Sequence, residues 1–228
     1  VAGNDFNYVQ AHATSIAASG KYNISSCSSE VIASGRVQMK NYQAVDLING
    51  LERHDGYTHT FFKSFTPALQ NSIRQYASQG GRILISGSYT GSDMQTEEEQ
   101  AFLSDILKLS YEPTGSTAIT RDINPEDSTV TERDSIVYTS PNVKGLRLQY
   151  SYYNELNAQH YAATHPEILK PVGNYAFTAM QYDTGTSAAV AYKSTTYRSF
   201  VMGFPLECII DERTRTSVLL GILKFLTD

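Results

Sequence analysis

The sequence predicts an α/β fold built on a mostly parallel sheet, and three features carry that expectation. A helix capped by Thr66, with Pro67 in its first turn, runs through Gly80 and Gly81 directly into the apolar strand Arg82 to Ser86, which is the connection parallel sheets use. A second apolar segment, Ala44 to Ile48, precedes that helix and supplies a neighbouring central strand. The closing segment, Asp211 to Leu226, places Val218, Leu219, Ile222, Leu223, Phe225 and Leu226 where an amphipathic helix can cover one sheet face.

The remaining elements follow in order. Phe6 to Ala18 reads as a helix with Val9, Ala13, Ile16 and Ala17 on one side, ended by Gly20. Tyr22 to Ser26 reads as a short strand and Glu30 to Ala33 as a helical turn. Glu97, Glu98 and Glu99 open a further helix, where carboxylates suit the positive end of the dipole. From 111 to 174 the pattern changes to prolines, polar loops and the β-like runs Ser135 to Thr139 and Leu146 to Tyr150, read as an insertion or extension within a single domain spanning 1–228. Tyr175 to Tyr182, Ala188 to Tyr192 and Phe200 to Phe204 return as strands. The turn KSTTYRS makes the last two antiparallel neighbours. No apolar strand precedes the first helix, so an N-terminal strand is expected to lie outside this sequence.

Composition limits the function. A formal charge of -5 and a pI near 5.5 argue against a basic nucleic-acid surface, and no apolar run is long enough to span a membrane. Abundant tyrosine with no tryptophan is compatible with carbohydrate contact. Cys27 and Cys208 can pair only if their α-carbons come within about 7 Å; the plainer reading is two buried free thiols. Asn23-Ile24-Ser25 fits the glycosylation tripeptide, which is common by chance.

Chemistry is sought first in GGRILISGSYTGSD, residues 80–93, where a strand empties into small and hydroxyl residues. In a nucleophile elbow the middle position of G-x-S-x-G carries the nucleophile. Here Tyr89 stands there, with Ser88 offset by one. No Lys follows the glycines, so the loop is not a phosphate cradle of the P-loop type. Asp93 is read as a helix cap or, alternatively, as a general base or ligand contact. His54 and His59, in the loop after the Ala44 strand, are candidate ligand contacts at the carboxyl edge of the sheet. Their spacing is not that of a helical zinc pair, and no metal site or cofactor is expected. The runs 150–156 and 196–198 are candidate aromatic stacking surfaces for sugar rings, and Arg213 and Arg215 are read as solvated.

Beyond these residues, the chain resembles the glutamine-amidotransferase-like, flavodoxin-like domains of large secreted bacterial proteins labelled putative xanthan lyases. The resemblance rests on GNDFNY at 3–8, YQAVDLINGLE at 42–52, FTPALQNSIRQYASQGGRILISGSYTGSDM at 65–94 and AVAYKSTTYRSFVMGFPLECI at 189–209. It implies a Rossmann/flavodoxin-like three-layer sandwich of the class I glutamine-amidotransferase type, and a secreted, periplasmic or cell-surface setting. It also implies a degenerate site. Tyr89 stands where the family's Cys would, and Glu207 matches the family's Glu with no His two residues before it. A Cys–His–Glu relay therefore lacks two of its three members. The string His165-Pro166-Glu167 mimics the family's HPE but lies before the Tyr175 strand, and is read as coincidence.

The function expected is that of a non-catalytic amidotransferase-like domain. It would help bind or position a polysaccharide or cell-envelope glycan, alongside other domains or an N-terminal segment of the same protein. The alternative is a carbohydrate-active lyase or hydrolase working through Tyr89, with Ser88, Glu207, His54, His59 and Arg82 as supporting candidates.

Overall fold

A computed structural model describes residues 7–54, 62–113, 135–138, 146–150, 163, 165–182 and 185–228. Helix α1 (Asn7–Ala17) is followed by the short helix α2 (Ser29–Ala33) and strand β1 (Val45–Gly50). No strand forms over Tyr22 to Ser26. Helix α3 (Pro67–Ser78) starts as its sequence dictates, with the Thr66 side chain accepting from the Leu69 amide and Pro67 at the first position. Two glycines later β2 (Arg82–Gly87) begins. At Gly81 a β-carbon would lie 2.7 Å from the Tyr76 ring, so the helix can pass this close to the strand only with glycine there.

Helix α4 (Glu97–Phe102) carries a full capping box between Thr96 and Glu99 and runs on as a π turn through Leu103–Leu107. Strand β3 (Leu109–Glu112) pairs antiparallel with β6 (Ile168–Pro171) in a separate two-stranded sheet. The main sheet also contains β4 (Ser135–Tyr138), β5 (Leu146–Gln149), β7 (Ala176–Tyr182), β8 (Ser187–Lys193) and β9 (Arg198–Met202). Its order is β1-β2-β9-β8-β7-β4-β5. The chain closes with helix α5 (Glu212–Thr227), capped by Asp211 through the Thr214 amide.

This sheet corrects the predicted fold class. Only β1–β2 and β2–β9 are parallel, whereas β9–β8, β8–β7, β7–β4 and β4–β5 are antiparallel. The sheet is thus not mostly parallel, and the Rossmann/flavodoxin-like, class I amidotransferase architecture is not what forms. The fold is a mixed α/β one with helices flanking a sheet. The cause is connection length. A parallel neighbour needs a crossover of a dozen or more residues, whereas the short links after β7 and β8 permit only antiparallel return. The strands at 135–138 and 146–149, within the stretch read as an insertion, extend this same sheet.

Alternation along β2 separates two apolar layers. Leu84 packs with Phe200, Met202, Val218, Leu219 and Ile222, against which Ile16 of α1 rests. Ile83 and Ile85 face the other way, into Phe65, Leu69, Ile73 and Phe102. Helices α1 and α5 therefore lie on one face and α3 and α4 on the other, while the carboxyl ends of β1, β2 and β9 share one edge.

Candidate functional site

At that edge the chain turns through residues 88–93 without starting a helix; α4 begins only at Glu97. The turn is pinned by the Ser88 amide, which donates to the Gly50 carbonyl at 2.8 Å, and by the Thr90 hydroxyl, which donates to the Gly87 carbonyl at 3.3 Å. Gly91 is needed because a β-carbon there would lie 2.6 Å from Cβ of Tyr111. Among the described residues, the non-glycine positions with left-handed backbone are Lys108 and Tyr175, so Tyr89 is not held in the strained geometry of a nucleophile elbow.

Tyr89 is only 9% exposed. Its ring lies parallel to that of His165, with centroids 5.1 Å apart and planes 6° from coincident. The Arg53 guanidinium carbon sits 4.5 Å from the ring centroid. His165 is pushed below the usual histidine range, first by burial and then by Arg53, which favours the neutral imidazole. Two residues on, Glu167 is wholly buried, and its carboxylate accepts from the amides of Gly91 at 2.6 Å and Ser92 at 2.9 Å. Its own amide donates to the Gly203 carbonyl at 2.7 Å, and its carbonyl accepts from the Tyr182 hydroxyl at 3.0 Å. Burial raises this carboxyl to about 7 against the hydrogen bonds from the Gly91–Ser92 turn, with Asp93 adding to the rise. The HPE string, whose match to the family motif was read as coincidence, is thus fastened to the turn after β2.

Asp93 caps no helix; Thr96 does that. Its two carboxylate oxygens accept from the amides of His54 at 3.0 Å and Ser64 at 2.8 Å, tying together the two stems on either side of residues 55–61. Lys63 adds a buried clamp, donating to the Asp93 carbonyl and pairing with Glu99 at 2.8 Å. Hydrogen bonds from Lys63 and from backbone amides hold Glu99 below the usual glutamate range despite its burial. His54 is exposed, while His59 lies outside the described residues.

Glu207 follows the carboxyl end of β9, in the 3-10 turn Leu206–Cys208, next along the edge from Ser88 and Tyr89. Its partner is His12 of α1, whose Nε2 lies 3.2 Å from Glu207 Oε2 and whose Nδ1 lies 2.6 Å from Asp46 Oδ2. The two carboxylates overcome the desolvation that disfavours the charged ring and raise His12 to about 10. With both ring nitrogens engaged by carboxylates, His12 has no nitrogen left to take a proton from a nucleophile. Ser88 is fully buried, and its hydroxyl has no hydrogen-bond partner among the described residues, so no base is placed to activate it.

The turn therefore gathers Tyr89, Asp93, His165, Glu167 and Arg53, whereas Glu207 is committed to His12 and Asp46. Sequence reasoning missed His12 and Arg53 and discarded His165 and Glu167. Asp46 in the middle of an apolar strand, and His12 on the apolar stripe of α1, were the legible signals of a buried ion pair. Other expectations are corrected. Arg82 lies at the amino end of β2, donating to the Gly80 and Gly81 carbonyls, away from the turn. Arg215 is buried and donates to the Ile209 carbonyl at 3.0 Å. Tyr150 is buried against Phe204, and Tyr197 donates to the Ile106 carbonyl, so neither is an exposed stacking ring. Both cysteines are free, with Cys208 buried and Cys27 exposed. Among the described residues no cluster of three or more His, Cys, Asp or Glu could hold a metal ion, and no helix is long and apolar enough to cross a membrane. No protein-family model matches the chain, and no curated protein shows significant similarity to it.

Proposed function

We propose that this is a non-catalytic domain that binds or positions an acidic polysaccharide or cell-envelope glycan at the carboxyl edge of its sheet. One observation carries the reading: the groups a reaction would need at the turn are already engaged by the chain itself. Tyr89 has an imidazole ring stacked on it and a guanidinium over its ring, the Asp93 carboxylate holds two backbone amides, and Glu207 is paired with a buried imidazole. Glutaminase chemistry has neither a thiolate nor a free base at this position. What the edge does offer outward is Arg53, an exposed cation resting on Tyr89 and suited to a sugar carboxylate. The glycan as partner, and a secreted or surface setting, come from the resemblance of the sequence to domains of secreted bacterial proteins. In affinity electrophoresis, a gel containing a uronic-acid polysaccharide should retard the chain, and Arg53→Ala should lose most of the retardation. Equal retardation of both proteins removes Arg53 from the reading, and none of either protein rejects it.

A second reading has a specific observation in its favour. A phenol, an imidazole and a guanidinium meet at Tyr89, His165 and Arg53, the groups with which a polysaccharide lyase abstracts a proton next to a carboxylate that a cation neutralises. It requires the His165 ring to leave Tyr89 for the sugar to enter.

A further inference from the structure

We propose that the paired amides of Gly91 and Ser92 form a carboxylate-binding site, which the chain fills with its own Glu167. Two successive backbone N–H groups converge on the two oxygens of one carboxylate, the geometry of an anion nest. The occupant is wholly buried, among the described residues no cation pairs with it, and the Ser92 hydroxyl joins the two amides in holding its carboxyl. Such a site selects a planar anion with two oxygens over a simple spherical one. The nest lies just past the carboxyl end of β2, where open α/β sheets receive the anionic groups of their ligands.

Glu167 reaches the nest from a segment 76 residues further along the chain, fixed by the Gly203 carbonyl and the Tyr182 hydroxyl. A β-carbon at Gly203 would lie 2.3 Å from the Glu167 carbonyl oxygen, so that segment is seated as closely as backbone allows. Glu167 is thereby a positioning residue: filling the nest sets His165, two residues earlier, against Tyr89. This inference is independent of the glycan reading.

Glu167→Ala removes a methylene and the carboxylate, the equivalent of one acetate ion. The experiment is thermal melting of wild type and Glu167→Ala at pH 8 in sodium acetate and in sodium chloride at matched ionic strength. Acetate should raise the melting temperature of the variant saturably above its value in chloride, and leave wild type where chloride leaves it. Should the variant fail to fold in chloride, the yield of folded chain on refolding in each salt is read instead, and acetate should give the larger yield. Equal behaviour of the variant in the two salts, or an equal acetate effect on wild type, overturns the proposal.

Discussion

Glu167 is where the residue scale makes its most specific demand. Its carboxyl is held at about 7 in the fold, by burial above all, and returns to about 4.5 when the chain unfolds. Between those values the folded chain binds more protons than the unfolded one, so stability is greatest below about pH 4.5 and declines as pH rises to about 7. The loss across that window is on the order of 3 kcal/mol. Denaturant midpoints measured from pH 4.5 to pH 8 should show this decline in wild type, and Glu167→Gln, which cannot ionise, should remove its share and leave the shallower slope that Glu52, raised to about 7, and His12, raised to about 10, contribute; an unchanged slope in the variant contradicts the assignment. The position of Glu167 was written in the sequence but unreadable there. A carboxylate that binds amides 76 residues away has no local pattern, and the HPE string was set aside because it lies before the Tyr175 strand and not after the late one. Tyr89 at the turn was legible because two glycines and an apolar strand surround it. The rings and charges packed over it were not.

At the scale of elements, α1 is joined to the sheet by one buried imidazole. His12 contacts Asp46 on β1 and Glu207 beyond β9, while Ser15 and Thr216 link the same helix to α5 by a 3.2 Å hydroxyl pair. Removing the cation leaves two carboxylates facing each other out of water, and one oxygen of Asp46 already lacks a partner among the described residues. His12→Ala should therefore cost about 3–5 kcal/mol by denaturant unfolding, and hydrogen exchange should show α1 opening before the rest. A loss within about 0.5 kcal/mol, the range of an ordinary surface substitution, would mean the triad does not hold the helix. Helix boundaries were well marked in the sequence, since Thr66, Pro67, Thr96 and Asp211 carry their capping chemistry locally. What α1 docks against was not, because an ion pair spanning 195 residues follows from topology.

For the whole molecule, the central αβ unit was legible and its continuation was not. The β2 strand lies between parallel β1 and β9, as its glycine-bounded approach from α3 implies. The turn KSTTYRS after β8 was legible as an antiparallel link and forms as one, but extending the parallel unit to the rest of the sheet ignored the equally short link after β7. The resulting edge puts the β2 turn beside the segment after β9 and closes it with residues 165–167. The central claim is that this turn is filled by its own chain and does no chemistry. The most direct test is a time course of the protein with uronic-acid polysaccharides and, separately, with glutamine, following unsaturated uronate ends, new reducing ends and ammonia. The account predicts no product above background in wild type or in Tyr89→Phe. Product formed by wild type and abolished in Tyr89→Phe would contradict it.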